Sequence, residues 1–120
     1  MPMQHYHGGC QCGAVTYEVD VDLDQTITCN CSRCQKLGSV LSFTSVENFK
    51  LLSGENNQTE YLFNKHAIHH LFCKTCGIES FARGAKPDGT PMVAINANCL
   101  EDVDPRTLKS HHYDGRSTQG

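Results

Sequence analysis

The stretch Cys73-Lys74-Thr75-Cys76-Gly77 is the part of the sequence that decides the fold. Its C-x-x-C-G spacing lets two thiolates reach one zinc ion at about 2.3 Å, and the glycine lets the backbone turn sharply behind them. Two cysteines supply only half of a structural zinc site, which has four protein ligands. The sequence must therefore provide a second pair of cysteines elsewhere.

That second pair is Cys10 and Cys12, within Gly8-Gly9-Cys10-Gln11-Cys12-Gly13. Residues i and i+2 of a strand project from the same face, so a slight bend brings both sulfurs to one metal. The economical arrangement is one closed tetrahedral site made by Cys10, Cys12, Cys73 and Cys76. Such a site would join the N-terminal strand to the centre of the chain. Because structural zinc binding is coupled to folding, it would stabilise the domain directly.

A third group, Cys29-Asn30-Cys31-Ser32-Arg33-Cys34, places three cysteines close together. Three protein ligands and one open position are typical of catalytic zinc, which can hold a water or a substrate thiol as the anion near neutral pH. Alternatively, Cys99 or a histidine closes this site as a fourth ligand and makes it structural. The residues alone leave both interpretations open.

Composition restricts the class of protein. With 120 residues, of which 38% are hydrophobic and 19% charged, the chain suits a single domain over residues 1–120 with a compact core. The net charge of −3 and the scattered lysines and arginines argue against nucleic-acid binding, which needs a basic face. The sequence has no amphipathic basic helix and no apolar run of membrane-spanning length. We therefore expect neither a nucleic-acid nor a membrane partner.

The cysteines also bear on the cellular compartment. Residues 1–9 lack the charged and apolar regions of a secretory signal, so we expect a cytoplasmic protein. Because the cytosol keeps thiols reduced, the eight cysteines of the chain should bind metal rather than form four disulfides. A thioredoxin-like role for the C-x-x-C pair lacks a βαβ context, and the spacings differ from the common ferredoxin runs. Asn57-Gln58-Thr59 matches a glycosylation sequon that such a protein would not use.

Short strands at close spacing predict an antiparallel, all-β fold with little helix. β-branched and aromatic runs mark the strands, and segments rich in Gly, Pro, Asn or Asp mark the turns between them. The predicted strands are 14–19, 39–45, 49–52, 61–63, 68–72, 79–83 and 92–96, and the predicted turns are 20–24, 54–57, 64–65 and 86–89. Asp104 and Pro105 predict the N-cap and first residue of a single helical turn.

Taken together, the motifs resemble the glutathione-dependent formaldehyde-activating enzyme family, whose domain is shared with centromere protein V. The resemblance runs in order over nearly the whole chain and includes all the grouped cysteines. The matching segments are Gly9-Cys10-Gln11-Cys12-Gly13-Ala14-Val15-Thr16-Tyr17, Cys29-Asn30-Cys31-Ser32-Arg33-Cys34-Gln35-Lys36-Leu37-Gly38, Phe72-Cys73-Lys74-Thr75-Cys76-Gly77, 96–100 and Tyr113-Asp114-Gly115-Arg116.

The resemblance implies a single Mss4-like domain, mainly β, in which several small antiparallel sheets surround two zinc sites. It implies a structural zinc on Cys10, Cys12, Cys73 and Cys76, and a second, open and catalytic zinc on Cys29, Cys31 and Cys34. It further implies a carbon–sulfur lyase that joins formaldehyde and reduced glutathione into S-(hydroxymethyl)glutathione. The alternatives are an enzyme that uses another thiol or carbonyl substrate and a non-catalytic, zinc-stabilised interaction module.

Further candidates lie near the cysteine groups. One of His66, His69 and His70 could approach the open zinc, but we expect ordinary, partly exposed histidines. For Cys99 we expect a small buried side chain, as is usual for a free cysteine, rather than a ligand or a reactive thiol. A basic group could bind the carboxylates of glutathione, but we expect the nearest cations to be solvated, namely Arg33, Lys36, Arg83 and Lys86. Near the termini we expect loose ends that contain His5, His7, His111 and His112.

Overall fold

A computed structural model describes residues 3–62, 68–86, 88–114 and 117. This part of the chain is mainly β, as predicted. The strands are β1 Gln4–Gly9, β2 Thr16–Val21, β3 Thr26–Cys29, β4 Leu41–Ser45, β5 Phe49–Ser53, β6 Gln58–Tyr61, β7 His69–Cys73, β8 Phe81–Ala85, β9 Pro91–Asn96 and β10 Ser110–Tyr113. The helices are α1 Ser32–Leu37 and the 3₁₀ helices Val46–Asn48, Ala97–Cys99 and Pro105–Thr107. None of the helices in these ranges is long and apolar enough to cross a membrane.

The strands form two sheets. The smaller is antiparallel and has the order β1-β2-β5, and the larger has the order β10-β3-β4-β9-β8-β7-β6. Neighbours in the larger sheet are antiparallel except β10 and β3, which are parallel. This pair departs from the predicted antiparallel pattern because β10 returns to lie beside β3 only after a connection of many residues, which parallel pairing requires.

The core lies between the two sheets, with β2 at its centre. Alternate residues of β2 point inward, beginning with Tyr17, and the residues between them are only half-buried. The ring of Tyr17 lies 5.1 Å from that of Phe49 on β5 and 5.7 Å from that of Phe81 on β8. Its hydroxyl donates a buried hydrogen bond of 3.0 Å to the carbonyl oxygen of Ser80. The aromatic cluster therefore joins the smaller sheet to the larger one.

The strands β1, β3 and β10 were not predicted, and β1 and β10 contain residues that we expected in loose ends. β1 carries His5 and His7 and pairs with β2 along its whole length. β10 carries His111 and His112 and pairs with β3. The expectation of loose ends is wrong because these edge strands are held by backbone hydrogen bonds to a partner strand. Their polar side chains give no apolar alternation by which a strand could be recognised.

The predicted turns occur where the structure describes them. The N–H of Asn57 donates to the carbonyl of Gly54 at 2.9 Å, and that of Gly89 donates to the carbonyl of Lys86 at 2.8 Å. The Asp104 side chain caps the predicted helical turn, which is a 3₁₀ helix. Of the strand predicted at 61–63, Tyr61 is the last residue of β6 Gln58–Tyr61, Leu62 is not in a strand, and Phe63 lies outside the described residues. The turn predicted at 64–65 lies outside the described residues, as do His66 and Pro87.

Candidate metal centres

Two turns bring Cys10, Cys12, Cys73 and Cys76 together, and their sulfur atoms all lie within 4.8 Å of one another. The Sγ of Cys12 is 3.6 Å from that of Cys10 and 3.7 Å from that of Cys73. These separations exclude a disulfide, whose S–S bond is about 2.05 Å. They match the edge of about 3.8 Å of a tetrahedron with metal–sulfur distances of about 2.3 Å. The four sulfurs could therefore hold one metal ion.

The first of these turns follows β1 directly. The N–H of Cys10 donates to the carbonyl of Val15 at 3.0 Å, and the N–H of Val15 donates back to the Cys10 sulfur at 3.3 Å. Gly9 permits this close approach, because a Cβ at that position would lie 2.3 Å from the carbonyl oxygen of Val15. The prediction that Cys10 and Cys12 project from a strand face is wrong. The chain leaves β1 at Gly9, and the turn rather than the pleat directs the two sulfurs.

The second turn begins at Cys73, the last residue of β7. Gly77 has a φ of +80° and donates its N–H to the carbonyl of Cys73 at 2.9 Å. The N–H groups of Cys76 and Thr75 point at the Cys73 sulfur and lower the pKa of its thiol. A backbone hydrogen bond from Ile78 likewise lowers the pKa of Cys76 to about 6. The turn thus favours the thiolate, which is the form that ligates metals.

Asn57 supports the second turn from a neighbouring loop. Its side-chain Nδ2 donates to the Cys73 sulfur at 3.5 Å and to the Thr75 hydroxyl at 3.1 Å. Its backbone carbonyl accepts from the N–H of Lys74 at 2.9 Å. In the sequence, Asn57 stands out only as a turn residue and as part of a sequon. The contact arises because β6 and β7 pair with Gln58 opposite Cys73, a register that the local sequence does not reveal.

Cys29, Cys31 and Cys34 form a second group, and their sulfur atoms also lie within 4.8 Å of one another. Cys29 ends β3, Cys31 is the N-cap of α1, and Cys34 lies in the first turn of that helix. The Cys31 sulfur accepts a hydrogen bond of 3.3 Å from the N–H of Cys34, and the Cys29 sulfur accepts one of 3.4 Å from the N–H of Cys31. A cysteine sulfur therefore caps this helix in the way that a Ser or Asp oxygen usually does. The three sulfurs could hold a metal ion.

The ionisation of these three thiols is uneven. Burial raises the pKa of Cys34 to about 12, and the neighbouring Cys31 adds to this effect. Burial alone would also raise the pKa of Cys31, but hydrogen bonds from the backbone of Cys34 and from neighbouring groups lower it below its ordinary value. The group by itself therefore favours a thiolate at Cys31. Three thiolates this close together repel one another and need a cation to compensate their charge.

Cys99 does not join the second group. It ends the 3₁₀ helix Ala97–Cys99, is half-buried, and its sulfur lies 4.0 Å from the carbonyl oxygen of Glu79. Burial raises the pKa of Cys99 to about 11, and the nearby sulfurs of Cys10 and Cys76 contribute. Cys99 thus lies closer to the first cysteine group. Among the described residues no other Cys, His, Asp or Glu completes the group of Cys29, Cys31 and Cys34.

Glu79 joins His70 to Arg33. Its Oε1 accepts from Arg33 Nη2 at 2.6 Å, and its Oε2 lies 3.0 Å from His70 Nδ1. The side chains of His70 and Glu79 are each 6% exposed, and that of Arg33 is 23% exposed and lies over the Tyr61 ring. The expectations that His70 is partly exposed and Arg33 solvated are therefore wrong. His70 points inward from β7, opposite to the exposed His69, and the carboxylate gives it a buried partner.

Asn96 links the segment that follows Cys76 to the C-terminal end of α1. Its Nδ2 donates to the carbonyl of Glu79 at 3.1 Å, and its Oδ1 accepts from the N–H of Asn98 at 3.2 Å. The Asn98 side chain in turn donates to the carbonyl of Gly38, the C-cap of α1, at 2.9 Å. Asn96 and Asn98 therefore connect the surroundings of the two cysteine groups. The sequence showed that they belong to a family-like segment but did not reveal this role.

An open cavity of about 430 Å³ runs along α1, and its lining includes Arg33, Lys36 and Tyr61. Lys36 is exposed, as expected, and lines the cavity. Lys86 is also exposed. Arg83 differs from the expectation because it is half-buried, with its guanidinium 5.2 Å from the centre of the Phe49 ring. Of the four cations considered from the sequence, Lys36 is therefore the one best placed to contact a ligand beside α1.

The sequence profile of a family described as glutathione-dependent formaldehyde-activating enzyme matches residues 5–114. The chain belongs to this family. Membership supports a glutathione-related, formaldehyde-activating function at the level of the family. The crystal structure of a Rhodobacter sphaeroides protein is similar to this member of the formaldehyde-activating family, with a TM-score of 0.78 and 30% sequence identity. The similarity covers 88% of this chain and 97% of the other, so the two proteins share the fold over most of their length.

Proposed function

We propose that this protein is a single-domain, zinc-dependent enzyme of the carbon–sulfur lyase type that acts on the glutathione adduct of formaldehyde or of a similar small aldehyde. The observation that carries the proposal is the group of Cys29, Cys31 and Cys34, which has three converging sulfurs and lacks a fourth ligand among the described residues. Zinc suits such thiolate sets, and three protein ligands leave one coordination position open. A closed structural zinc site would be formed by Cys10, Cys12, Cys73 and Cys76.

The residues around the second group have separate tasks in this proposal. Zinc held by the three cysteines would offer one open position and favour the thiolate form of a substrate thiol. The backbone N–H groups of Cys31 and Cys34 orient the sulfur ligands. Lys36 lies on the cavity wall and would pair with a carboxylate of glutathione. Arg33 is bonded to Glu79, so it positions α1 instead of binding the substrate.

The proposed reaction joins one thiol and one carbonyl compound. The sulfur of glutathione attacks the carbonyl carbon of formaldehyde and forms the carbon–sulfur bond. The π electrons of the C=O bond move to the oxygen, which takes up a proton and becomes the hydroxyl of S-(hydroxymethyl)glutathione. The proton lost by the thiol balances this gain, so the reaction needs no oxidant or reductant. Holding the thiol in one orientation beside α1 reduces the entropic part of the barrier.

Native mass spectrometry, with and without reduced glutathione, tests the proposal. We expect two zinc ions bound to the cysteines of each chain and a glutathione adduct that is lost in Cys31→Ser. The matched control is Cys99→Ser, a thiol outside both sulfur groups, which should keep the metals and the adduct. Two zinc ions without an adduct would favour the non-catalytic interaction module or another thiol substrate, which turnover across several thiols and carbonyls would separate. A single zinc ion would remove the basis of the enzymatic proposal.

A further inference from the structure

The outer face of the smaller sheet carries a group of polar side chains that the proposed enzyme does not use. His5 and His7 alternate along β1 and therefore share one face. Asp20 and Glu18 on β2 lie directly opposite them in the strand register. The four side chains are between 31% and 54% exposed and face away from the core that Tyr17 occupies.

The donor atoms of this face converge. The Nε2 of His5 lies 3.5 Å, and the Nε2 of His7 3.4 Å, from the same Oε2 atom of Glu18. Direct hydrogen bonds would be shorter, at about 2.7–3.2 Å. Ligand distances of about 2.0–2.1 Å around a tetrahedral ion give donor separations of about 3.3–3.4 Å. Both nitrogens are thus spaced from the Glu18 oxygen as ligands around one small ion, and the ligand atoms of the three residues all lie within 4.8 Å of one another.

Asp20 determines which nitrogen of His5 is available. Its Oδ1 lies 2.8 Å from His5 Nδ1, and the Nδ1–H donates to the carboxylate. In the neutral ring, the Nε2 of His5 is then left with the lone pair that a metal needs, and it faces Glu18. A carboxylate that holds the far nitrogen of a histidine is a regular feature of metal sites, because it orients the ring and makes the ligating nitrogen more basic.

We propose that His5, His7 and Glu18 form a third metal site, separate from both cysteine groups, and that Asp20 orients His5 within it. Two imidazole nitrogens and one carboxylate suit divalent ions of the zinc, nickel and copper class, whereas calcium and magnesium prefer oxygen ligands. The two histidines are exposed and Glu18 is partly exposed, so water would complete the coordination and the ion would exchange readily. The site does not depend on the enzymatic activity.

Titration of the full-length protein, already loaded with zinc at its cysteines, with further Zn²⁺ tests this site by native mass spectrometry. Wild type should bind one more ion than His5→Gln/His7→Gln, and Asp20→Asn should bind it with an affinity lower by about 10–100-fold. The matched control is His111→Gln/His112→Gln, which removes two exposed histidines from the strand β10 and should bind as wild type does. Equal zinc uptake by wild type and by the His5→Gln/His7→Gln variant would overturn the proposal.

NMR of the histidine rings gives a second readout. It uses the wild-type protein, so its result does not depend on whether the variants fold. The ring signals of His5 and His7 should shift with one added equivalent of Zn²⁺. Those of His69, which is paired with the single carboxylate of Glu60 at 3.0 Å, should not shift. Unchanged His5 and His7 signals would equally overturn the proposal.

Discussion

Arg33 and Glu79 form a part-buried ion pair, 2.6 Å between Nη2 and Oε1, that connects the surroundings of the two cysteine groups. Arg33 directly precedes Cys34, and Glu79 follows Cys76 after a short loop. The second oxygen of the carboxylate is bonded to His70 on β7. One carboxylate therefore fixes α1 against the strand that leads into the other cysteine turn.

Glu79→Gln should lower the free energy of unfolding by about 3–5 kcal/mol, because it leaves the guanidinium of Arg33 part-buried without its carboxylate. Urea denaturation at a fixed zinc concentration measures the change. Glu60→Gln is the matched control, since Glu60 also pairs with a histidine of β7, but both side chains of that pair are nearly half exposed. The control should change stability little. Equal losses in the two variants would show that Glu79 does not act as a buried partner.

The cysteine groups were predictable from sequence because their spacing is local. Two C-x₁₋₂-C pairs and a dense triple specify which sulfurs can share an ion, and the structure brings the same sets together. The residues that support them were not predictable. Asn57 reaches Cys73 only through the register of β6 on β7, and Glu79 reaches Arg33 across more than forty residues of chain.

The strands also divide into those that were predictable from sequence and those that were not. β2 and β9 were predicted because they bury β-branched and aromatic residues such as Tyr17, Val19 and Ile95. β1 and β10 carry mainly polar and glycine residues, so their strand character depends on backbone pairing with β2 and β3. The histidine arrangement on β1 was missed for the same reason, because it exists only once β1 pairs with β2.

Lys36→Gln tests the part of the proposed function that concerns substrate binding. If Lys36 pairs with a glutathione carboxylate in both the ground state and the transition state, the variant should raise KM for glutathione by about two- to fivefold and leave kcat unchanged. Steady-state kinetics with glutathione as the varied substrate measures the effect. Lys50→Gln, an exposed lysine on β5, is the matched control and should not change KM. A fall in kcat with unchanged KM would contradict the assigned role.

Removal of metal should unfold the domain, because the four-cysteine group joins the turn after β1 to the turn after β7. We expect a large fall in Tm on treatment with a chelator, and the same fall in Cys73→Ser without chelator. Circular dichroism during heating, together with the zinc content per chain, measures both. Cys99→Ser should keep the zinc content and lose little Tm. A protein that is free of zinc and retains its full Tm would contradict a structural role for the metal.

Tyr17→Phe tests the buried hydroxyl at the centre of the core. The substitution leaves the carbonyl of Ser80 without its hydrogen bond from Tyr17 and should cost about 1–3 kcal/mol of stability at neutral pH. Urea denaturation measures the loss. Tyr6→Phe is the matched control, because the Tyr6 hydroxyl donates to the side chain of Gln4 at an exposed position. It should change stability little.

The stability gap between wild type and Tyr17→Phe should narrow at high pH. Burial, with a contribution from Cys99, raises the pKa of Tyr17 above its ordinary value of about 10. The folded protein therefore keeps the proton on the Tyr17 hydroxyl at pH values at which the unfolded chain loses it. Above about pH 10 the wild type loses up to about 1.4 kcal/mol of stability per pH unit through the Tyr17 hydroxyl. The phenylalanine variant has no hydroxyl at this position and does not show this loss. Denaturation curves from about pH 8 to about pH 11 measure the gap, and a constant gap would contradict a buried, protonated Tyr17.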